Sequence, residues 1–165
     1  LASRMILMGG LADHAREAER AAVDALNGGQ ALEVFRRFVE AQGGDPAFTE
    51  DTELLPRAPV RRGIAASASG WVGDIDALTV GLVATGLGAG RRRVGEEVDP
   101  SVGVEIVSPV GSEVREGDEL AVVHAGSKDD AERAAGRLLE AFAISEERVE
   151  VPARVLEILD PDSIH

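Results

Sequence analysis

Apolar side chains recur at helical spacing through residues 1–57 of the chain. A short first helix should close at Met8, because Gly9-Gly10 supplies the left-handed conformation that ends many helices. The second helix is expected to begin with Asp13 as its N-cap residue. The stripes of the second and third helices comprise Ala15, Ala18, Ala22, Ala25 and Leu26, and then Leu32, Phe35, Phe38, Val39 and Gln42. The pattern predicts a helical hairpin whose stripe needs a partner surface, followed by a polar connector over residues 45–57.

From Ala58 onward the alternation of apolar and polar positions becomes typical of β-strands. Strands are predicted over residues 60–66, 71–75, 102–107, 119–124 and 149–159. A turn at Ser69-Gly70 separates the first two, and Pro152 places the last at an edge or a break. The order of elements is then β-β-α-loop-β-β-α-β. The chain as a whole is predicted to be α+β, with a helical part over residues 1–57 and a mixed part over residues 58–165.

Two helices are predicted within the mixed part. Asp76 should cap the first, which continues to Thr85 and stops before a glycine-rich loop at residues 86–90. Ser127, with Asp130 three residues later, has the spacing of a capping box at the start of the second. This second helix is expected to bury Ala131, Ala134, Ala135, Leu138, Leu139 and Phe142.

Composition narrows the classes of function that the chain can serve. Its 165 residues include 17 basic and 30 acidic side chains, for a formal net charge of −13. This balance disfavours nucleic acid and anionic membrane surfaces, both of which attract clustered Lys and Arg. Cysteine is absent, which excludes disulfides, thiolate zinc sites and cysteine nucleophiles and is typical of a cytoplasmic protein. No apolar run has the roughly 18 residues of a membrane-spanning helix.

Four segments, in this order and at these distances, resemble one enzyme family. They are Ala41-Gln42-Gly43-Gly44-Asp45, Leu87-Gly88-Ala89-Gly90-Arg91, Asp99-Pro100-Ser101-Val102-Gly103 and residues 111–124. Over essentially its whole length the sequence resembles the C-terminal part of the thymidine and pyrimidine-nucleoside phosphorylases. Because the chain also begins within a helical pattern and without methionine, it is expected to be a piece of a longer polypeptide.

The resemblance implies a fold, a reaction and a set of partners. These enzymes need no cofactor and use phosphate as co-substrate to convert thymidine or deoxyuridine reversibly to the free base and 2-deoxyribose 1-phosphate. Catalysis is mostly positioning and charge stabilisation as two domains close, and the enzymes are usually homodimers. Residues 1–57 would be the helical tail of the preceding core domain. Residues 58–165 would be an α/β-hammerhead-like C-terminal domain.

The family's catalytic motifs do not occur in this sequence. A phosphate loop of the pattern K-x-S-T-G-G is absent, and Lys128, the single lysine, lies in the wrong context for the Arg…Ser…Lys set that grips the pyrimidine. Both sets are expected upstream of Leu1. No catalytic residue is therefore assigned within this chain, and no metal site is predicted.

The candidate for contact with substrate is the glycine-rich segment before Arg91-Arg92-Arg93. Bare amides and guanidinium groups favour oxyanions, so Gly88, Gly90 and Arg91 could face the cleft when the domains close. The alternative is a solvated, hinge-like loop. The spacing differs from G-x-G-x-x-G, which argues against a dinucleotide site. Repulsion among the arginines and the ordering entropy of the glycines predict that residues 86–99 are mobile.

Acidic and histidine side chains supply weaker candidates. The acidic ones are Glu96, Glu97 and Asp99. They could ligate a metal or form an acid–base pair, but adjacent carboxylates on such a loop are more often solvated or paired with nearby arginines. His124 ends an apolar strand and is interpreted as a hydrogen-bonded structural histidine rather than a general base. His14 and His165 are expected to be exposed.

Two other classes of function stay open. The stretch from Gly111 to Leu120 resembles the second half of a lipoyl or biotinyl carrier domain, with Lys128 as the modified residue. In carriers that lysine stands at the tip of a hairpin, whereas residues 127–130 should open a helix, so the modification is disfavoured. The other class is a non-catalytic interaction module.

Overall fold

A computed structural model describes residues 1–91, 93–151, 153, 155 and 157. The chain divides into two compact units, Leu1–Leu55 and Pro56–His165. The first unit is helical, and the described residues of the second contain strands and two helices. The α+β class predicted from the sequence is confirmed. Predictions that concern Arg92, Pro152 and His165 lie outside the described residues.

Three helices form the first unit, all of whose residues are described: α1 (Ala2–Met8), α2 (Ala15–Asn27) and α3 (Gln30–Ala41). Gly10 and Gly29 have φ of 67° and 81° at the two junctions, which explains why the helices stop there. The N-cap residue of α2 is His14, so the prediction of Asp13 is wrong. Asp13 lies one residue before this N-cap, where its backbone N–H donates to the Glu17 carboxylate at 3.2 Å.

The predicted connector folds back on α3. It contains two short 3-10 helices, Pro46–Thr49 and Thr52–Leu54, each started by an aspartate side chain that accepts a backbone N–H. Arg36 on α3 donates its Nε to Thr49 Oγ1 at 2.9 Å and pairs with Glu50. Phe35 and Phe48 pack edge to face with ring centroids 6.0 Å apart. These contacts make residues 45–55 part of the first compact unit.

Much of the predicted apolar stripe stays uncovered. Ala18 is fully buried, but Leu26, Phe35 and Phe38 remain 70%, 45% and 59% exposed. Val23 and Leu32 are exposed as well. We call these five exposed side chains, Val23, Leu26, Leu32, Phe35 and Phe38, the hairpin stripe. Their exposure agrees with the prediction that this hairpin needs a partner surface.

Among the described residues, six strands and two helices form the second unit. The strands are β1 (Val60–Ala65), β2 (Gly70–Ile75), β3 (Gly103–Ile106), β4 (Glu113–Val114), β5 (Glu119–Ala125) and β6 (Phe142–Ser145), and the helices are α4 (Ala77–Leu87) and α5 (Lys128–Leu139). The strands make two antiparallel sheets, with orders β1-β5-β3 and β4-β2-β6. Successive strands of the chain therefore alternate between the two sheets, and the turn at Ser69-Gly70 joins strands that do not pair.

The main core lies between the first sheet and the two helices. Every second residue of β5 faces it, through Ala121, Val123 and Ala125, as the two-residue period of a strand requires. Helix α5 contributes Ala131, Ala134, Ala135 and Leu138 to the same core. A smaller core holds Ala66, Val72, Val114 and Leu120. Both cores consist of aliphatic side chains, with Phe142 at their margin.

Several predictions for this unit differ from the structure. Helix α4 continues through Gly86 and Leu87 and ends at Gly88, because only Gly88 needs a positive φ, of 112°. Leu139, which was predicted to be buried by α5, is 40% exposed. Phe142 was predicted to lie on α5, because its spacing from Leu138 fits a helical stripe. The helix ends at Leu139, however, and Phe142 is the first residue of β6. The strand predicted over residues 149–159 is absent from the described part of that range, and β6 pairs with β2 in its place.

Candidate functional site

The loop between α4 and β3, residues 88–101, contains the glycines predicted to face a cleft, and we call it the Gly/Arg loop. Gly88 ends α4 in the left-handed conformation. Gly90 passes so close to Thr85 that a Cβ atom added there would lie 2.9 Å from Thr85 Oγ1. Gly88 is therefore favoured by its backbone conformation and Gly90 by its close approach to the Thr85 side chain. Neither of these reasons requires a ligand.

The base of the Gly/Arg loop is closed by Asp99. Its backbone N–H donates to the Gly88 carbonyl oxygen at 3.0 Å. Its carboxylate accepts hydrogen bonds from the Ser101 hydroxyl at 2.6 Å and the Ser101 backbone N–H at 2.9 Å. These bonds, the hydroxyl first, lower the pKa of Asp99 below its ordinary value of 3.8. Asp99 is thus an ionised structural acceptor at neutral pH and cannot serve there as a proton donor.

The tip of the loop is organised around Glu96. Arg91 donates its Nε to the Glu96 carbonyl oxygen at 3.1 Å, and the Arg93 backbone N–H donates to Glu96 Oε2 at 3.2 Å. Glu96 therefore contacts two of the arginines, and each of these two hydrogen bonds has a backbone group as its donor or its acceptor. A shallow cavity of about 310 Å³ at the tip is lined by Arg91, Arg93, Val94 and Gly95. The two exposed arginine side chains give this tip a basic surface that could meet an anion.

The three carboxylates after the arginines do not converge on one point. The Glu96 carboxylate accepts a hydrogen bond at the tip of the loop, the Asp99 carboxylate accepts one at its base, and Glu97 is exposed. Across the described residues, no group of three histidine, aspartate or glutamate side chains is arranged to hold a metal ion.

His124 lies near the end of β5 in an open groove of about 560 Å³. Arg61 on β1 and Gly103 on β3 are its partners in register on either side. Its Nε2 is 3.5 Å from Glu105 Oε2, a long contact, and its side chain is 35% exposed. The groove thus holds a histidine with a nearby carboxylate, although water reaches both.

Sequence reasoning missed Glu105 and Arg61 as neighbours of His124. Only the register between antiparallel strands brings them together, and β1 is far from β5 in the sequence. The base of the Gly/Arg loop reaches this groove through Ser101, but Arg91 and Arg93, the described arginines at its tip, do not line it. The structure therefore does not gather the candidate residues into one centre.

The remaining candidates lie apart. Lys128 is the first residue of α5 and is exposed, directly after Ser127, whose Oγ accepts the Asp130 N–H at 3.1 Å. This confirms the predicted helix start and places Lys128 outside any hairpin tip. His14 is exposed at the N-cap position of α2, as predicted. Within the described residues, no helix combines the length and apolar character needed to cross a bilayer.

Comparison with known proteins shows which protein family the sequence is similar to. The family model "Pyrimidine nucleoside phosphorylase C-terminal domain" matches residues 71–145. A thymidine phosphorylase of Agrobacterium fabrum is 36% identical over 157 residues, which cover 94% of this chain and 36% of that protein.

Two further relatives agree with these matches. A thymidine phosphorylase of Mesorhizobium japonicum is 40% identical over 145 residues, which cover 87% of this chain and 33% of that protein. A pyrimidine-nucleoside phosphorylase of Staphylococcus haemolyticus is 36% identical over 129 residues, covering 78% of this chain and 30% of that protein. The chain spans about a third of the length of the curated relatives it matches.

Proposed function

We propose that this chain is the C-terminal part of a thymidine phosphorylase, because it belongs to the pyrimidine-nucleoside phosphorylase family. The enzyme would convert thymidine or deoxyuridine and phosphate reversibly to the free base and 2-deoxyribose 1-phosphate. The observation that carries the proposal is the 36% identity to a thymidine phosphorylase over 94% of this chain.

The residues that carry the chemistry are expected in the rest of the enzyme. Neither the phosphate-loop pattern nor the base-gripping set occurs in this sequence. In this proposal, residues 1–57 are the tail of the core domain and residues 58–165 form the C-terminal domain that closes over the substrates. Phosphate is the co-substrate and no cofactor takes part.

The Gly/Arg loop is the part of this chain proposed to face the cleft. Its exposed Arg91 side chain would approach the bound phosphate when the domains close. Gly88 and Gly90 would allow the backbone conformation that brings Arg91 there. Support comes from the basic tip cavity and from the base that Asp99 closes, which holds both ends of the loop together. A guanidinium near developing negative charge strengthens catalysis by charge-assisted hydrogen bonding. The full enzyme is proposed to be a cytoplasmic homodimer.

A chimeric enzyme tests the proposal. The matching C-terminal segment of the Agrobacterium fabrum thymidine phosphorylase would be replaced by this chain, and thymine release from thymidine and phosphate would be measured. We expect turnover within about tenfold of the parent enzyme. A folded chimera that binds thymidine but releases no thymine would overturn the proposal. Deoxyuridine and uridine assays on the same chimera determine which pyrimidine nucleosides are accepted.

Two variants of the chimera test the role of the loop. Arg91→Ala should lower kcat about tenfold to a hundredfold if its guanidinium reaches phosphate in the closed state. Arg115→Ala removes another exposed arginine, in the turn before β5, and should leave kcat unchanged. Equal kcat values in both variants would remove the loop from the mechanism without touching the assignment of the reaction.

The chain alone should not catalyse the reaction, because the phosphate loop and the base-gripping set are missing from it. The measurement is thymine release by the purified chain. Turnover near ordinary enzyme values, about 1 to 1,000 per second, would contradict this expectation.

A further inference from the structure

Residues 148–151, which follow β6, lie against β2 and the turn at Gly111, and we call them the strap. The strap begins with a contact between a cation and an aromatic ring. The guanidinium carbon of Arg148 lies 5.4 Å from the ring centroid of Trp71, which is half-buried on β2. At this distance the positive charge is attracted by the electron-rich face of the indole.

Two glycines make room for the two valines of the strap. The Cγ2 methyl group of Val149 lies 3.6 Å from the position that a Cβ atom would take at Gly73 on β2. At Gly111 an added Cβ atom would overlap the Cγ2 methyl group of Val151. Side chains at alternate positions of the strap therefore rest where the domain has bare backbone.

The rest of the strap is weakly held. Arg148, Glu150 and Val151 are exposed, and no backbone hydrogen bond joins the strap to another described residue. A cavity of about 370 Å³ lies between the strap and Gly111, so the packing beneath it is incomplete. A segment with few buried contacts and no backbone pairing opens at a lower free energy than the domain as a whole.

We propose that the strap opens as a local unit while both sheets stay folded, and that Arg148 stacked on Trp71 is the latch that keeps it closed. Opening would release the chain beyond β6 and uncover the indole, whereas β6 itself stays paired with β2 over Phe142–Ser145. Stacking of an exposed guanidinium on tryptophan should shift the opening equilibrium about two- to fivefold. The proposal does not depend on the proposed function.

The test is cleavage of the whole chain after Glu150 by a glutamate-specific protease, followed by mass spectrometry. At low protease concentration the cleavage rate tracks the population of the open strap. Trp71→Leu removes the latch without changing the sequence that the protease reads, so cleavage should be about two- to fivefold faster. Arg148→Gln should have the same effect after division by the cleavage rate of a free peptide of residues 146–153 carrying the same change. The double variant should be no faster than either single variant, because both remove one contact.

Arg137→Gln, at an exposed arginine on α5, is the matched control and should leave the rate unchanged. Low concentrations of urea separate local opening from unfolding of the domain. Because strap opening exposes little surface, the cleavage rate should rise with urea much less steeply than the globally unfolded fraction does. The proposal is overturned if Arg148→Gln is cleaved after Glu150 at the normalised rate of the parent. It is equally overturned if cleavage of the parent rises with urea as steeply as global unfolding.

Discussion

Asp99 shows how one side chain can organise a loop. Its amide closes the Gly/Arg loop on Gly88, and its carboxylate is held by the hydroxyl and amide of Ser101. In the sequence, Asp99 falls close to Glu96 and Glu97, and the charge pattern alone does not distinguish its role from theirs. A local signal for its different role did exist, because an aspartate two residues before a serine, across a proline, is typical of a side-chain-stabilised turn.

Removing the Ser101 hydroxyl should raise the pKa of Asp99. In Ser101→Ala the strongest hydrogen bond to the carboxylate is lost, so the pKa should move up toward 3.8. Because the folded pKa lies below the unfolded one, this carboxylate stabilises the fold above pH 3.8, and that contribution disappears as pH falls through the folded pKa. Acid unfolding of the variant should therefore begin at a higher pH.

Carboxyl-carbon NMR titration measures this shift directly. Asp76 is an internal control, because hydrogen bonds led by the Thr79 hydroxyl lower its pKa and Ser101 does not touch it. Its pKa should be the same in both proteins. An Asp99 pKa that does not move in Ser101→Ala would show that the Ser101 hydroxyl is not the cause.

At the scale of elements, local signals located most helices and strands. Ser127 caps α5 and Asp76 caps α4, as their spacing predicted, since capping involves residues close in sequence. Strand β6 was missed because Phe142 continues the i,i+4 spacing of α5, and no glycine or proline marks the end of that helix. Periodicity alone cannot separate these two readings over four residues.

Two glycines should respond in opposite directions to alanine. At Gly70, where β2 begins, an added Cβ would overlap the carbonyl oxygen of Ser145 on β6, and the φ of 156° also disfavours a side chain. Gly70→Ala should cost about 2 to 4 kcal/mol of unfolding free energy. Gly136 lies within α5 with nothing near its Cβ position, so Gly136→Ala should add about 0.5 to 1 kcal/mol.

Urea denaturation of both variants provides the measurement. The Gly136 variant is the control for the loss of backbone freedom that any glycine-to-alanine change brings. A Gly70 variant as stable as the parent would mean that β2 and β6 can separate without cost at that end.

At the scale of the whole molecule, the sequence indicated two parts and an uncovered helical hairpin. What it could not indicate was which strands share a sheet. His124 lies near Glu105 and Arg61 because β3 and β1 flank β5, and no local pattern encodes that order. The α+β class could be predicted from the periodicity of apolar residues. The neighbours of His124 could not, because they depend on which strands pair in the folded structure.

The hairpin stripe should make the isolated chain self-associate. Burying side chains such as Leu26 and Phe38, which are 70% and 59% exposed, against a second copy would remove apolar surface from water. Light scattering over a range of concentrations should show a mass that rises with concentration. The double variant Leu26→Gln and Phe38→Gln should shift the chain toward the monomer.

Leu78→Gln is the matched control, because Leu78 is 71% exposed on α4 and lies outside the hairpin stripe. This variant should self-associate as the parent does. A strict monomer for the parent chain at every concentration would contradict the prediction.

The alternation of successive strands between two sheets also constrains how the domain can form. Arg61 on β1 and Glu119 on β5 are hydrogen-bonded although they are 58 positions apart in the sequence. Strand β2 likewise pairs with the distant strand β6. Chain-closure entropy must be overcome before such distant pairings stabilise anything, which slows folding. No contiguous half of the domain contains a complete sheet. During synthesis, neither sheet can be completed until its last strand has left the ribosome, so the nascent chain carries unpaired edges that depend on rapid completion or on chaperones to stay unaggregated.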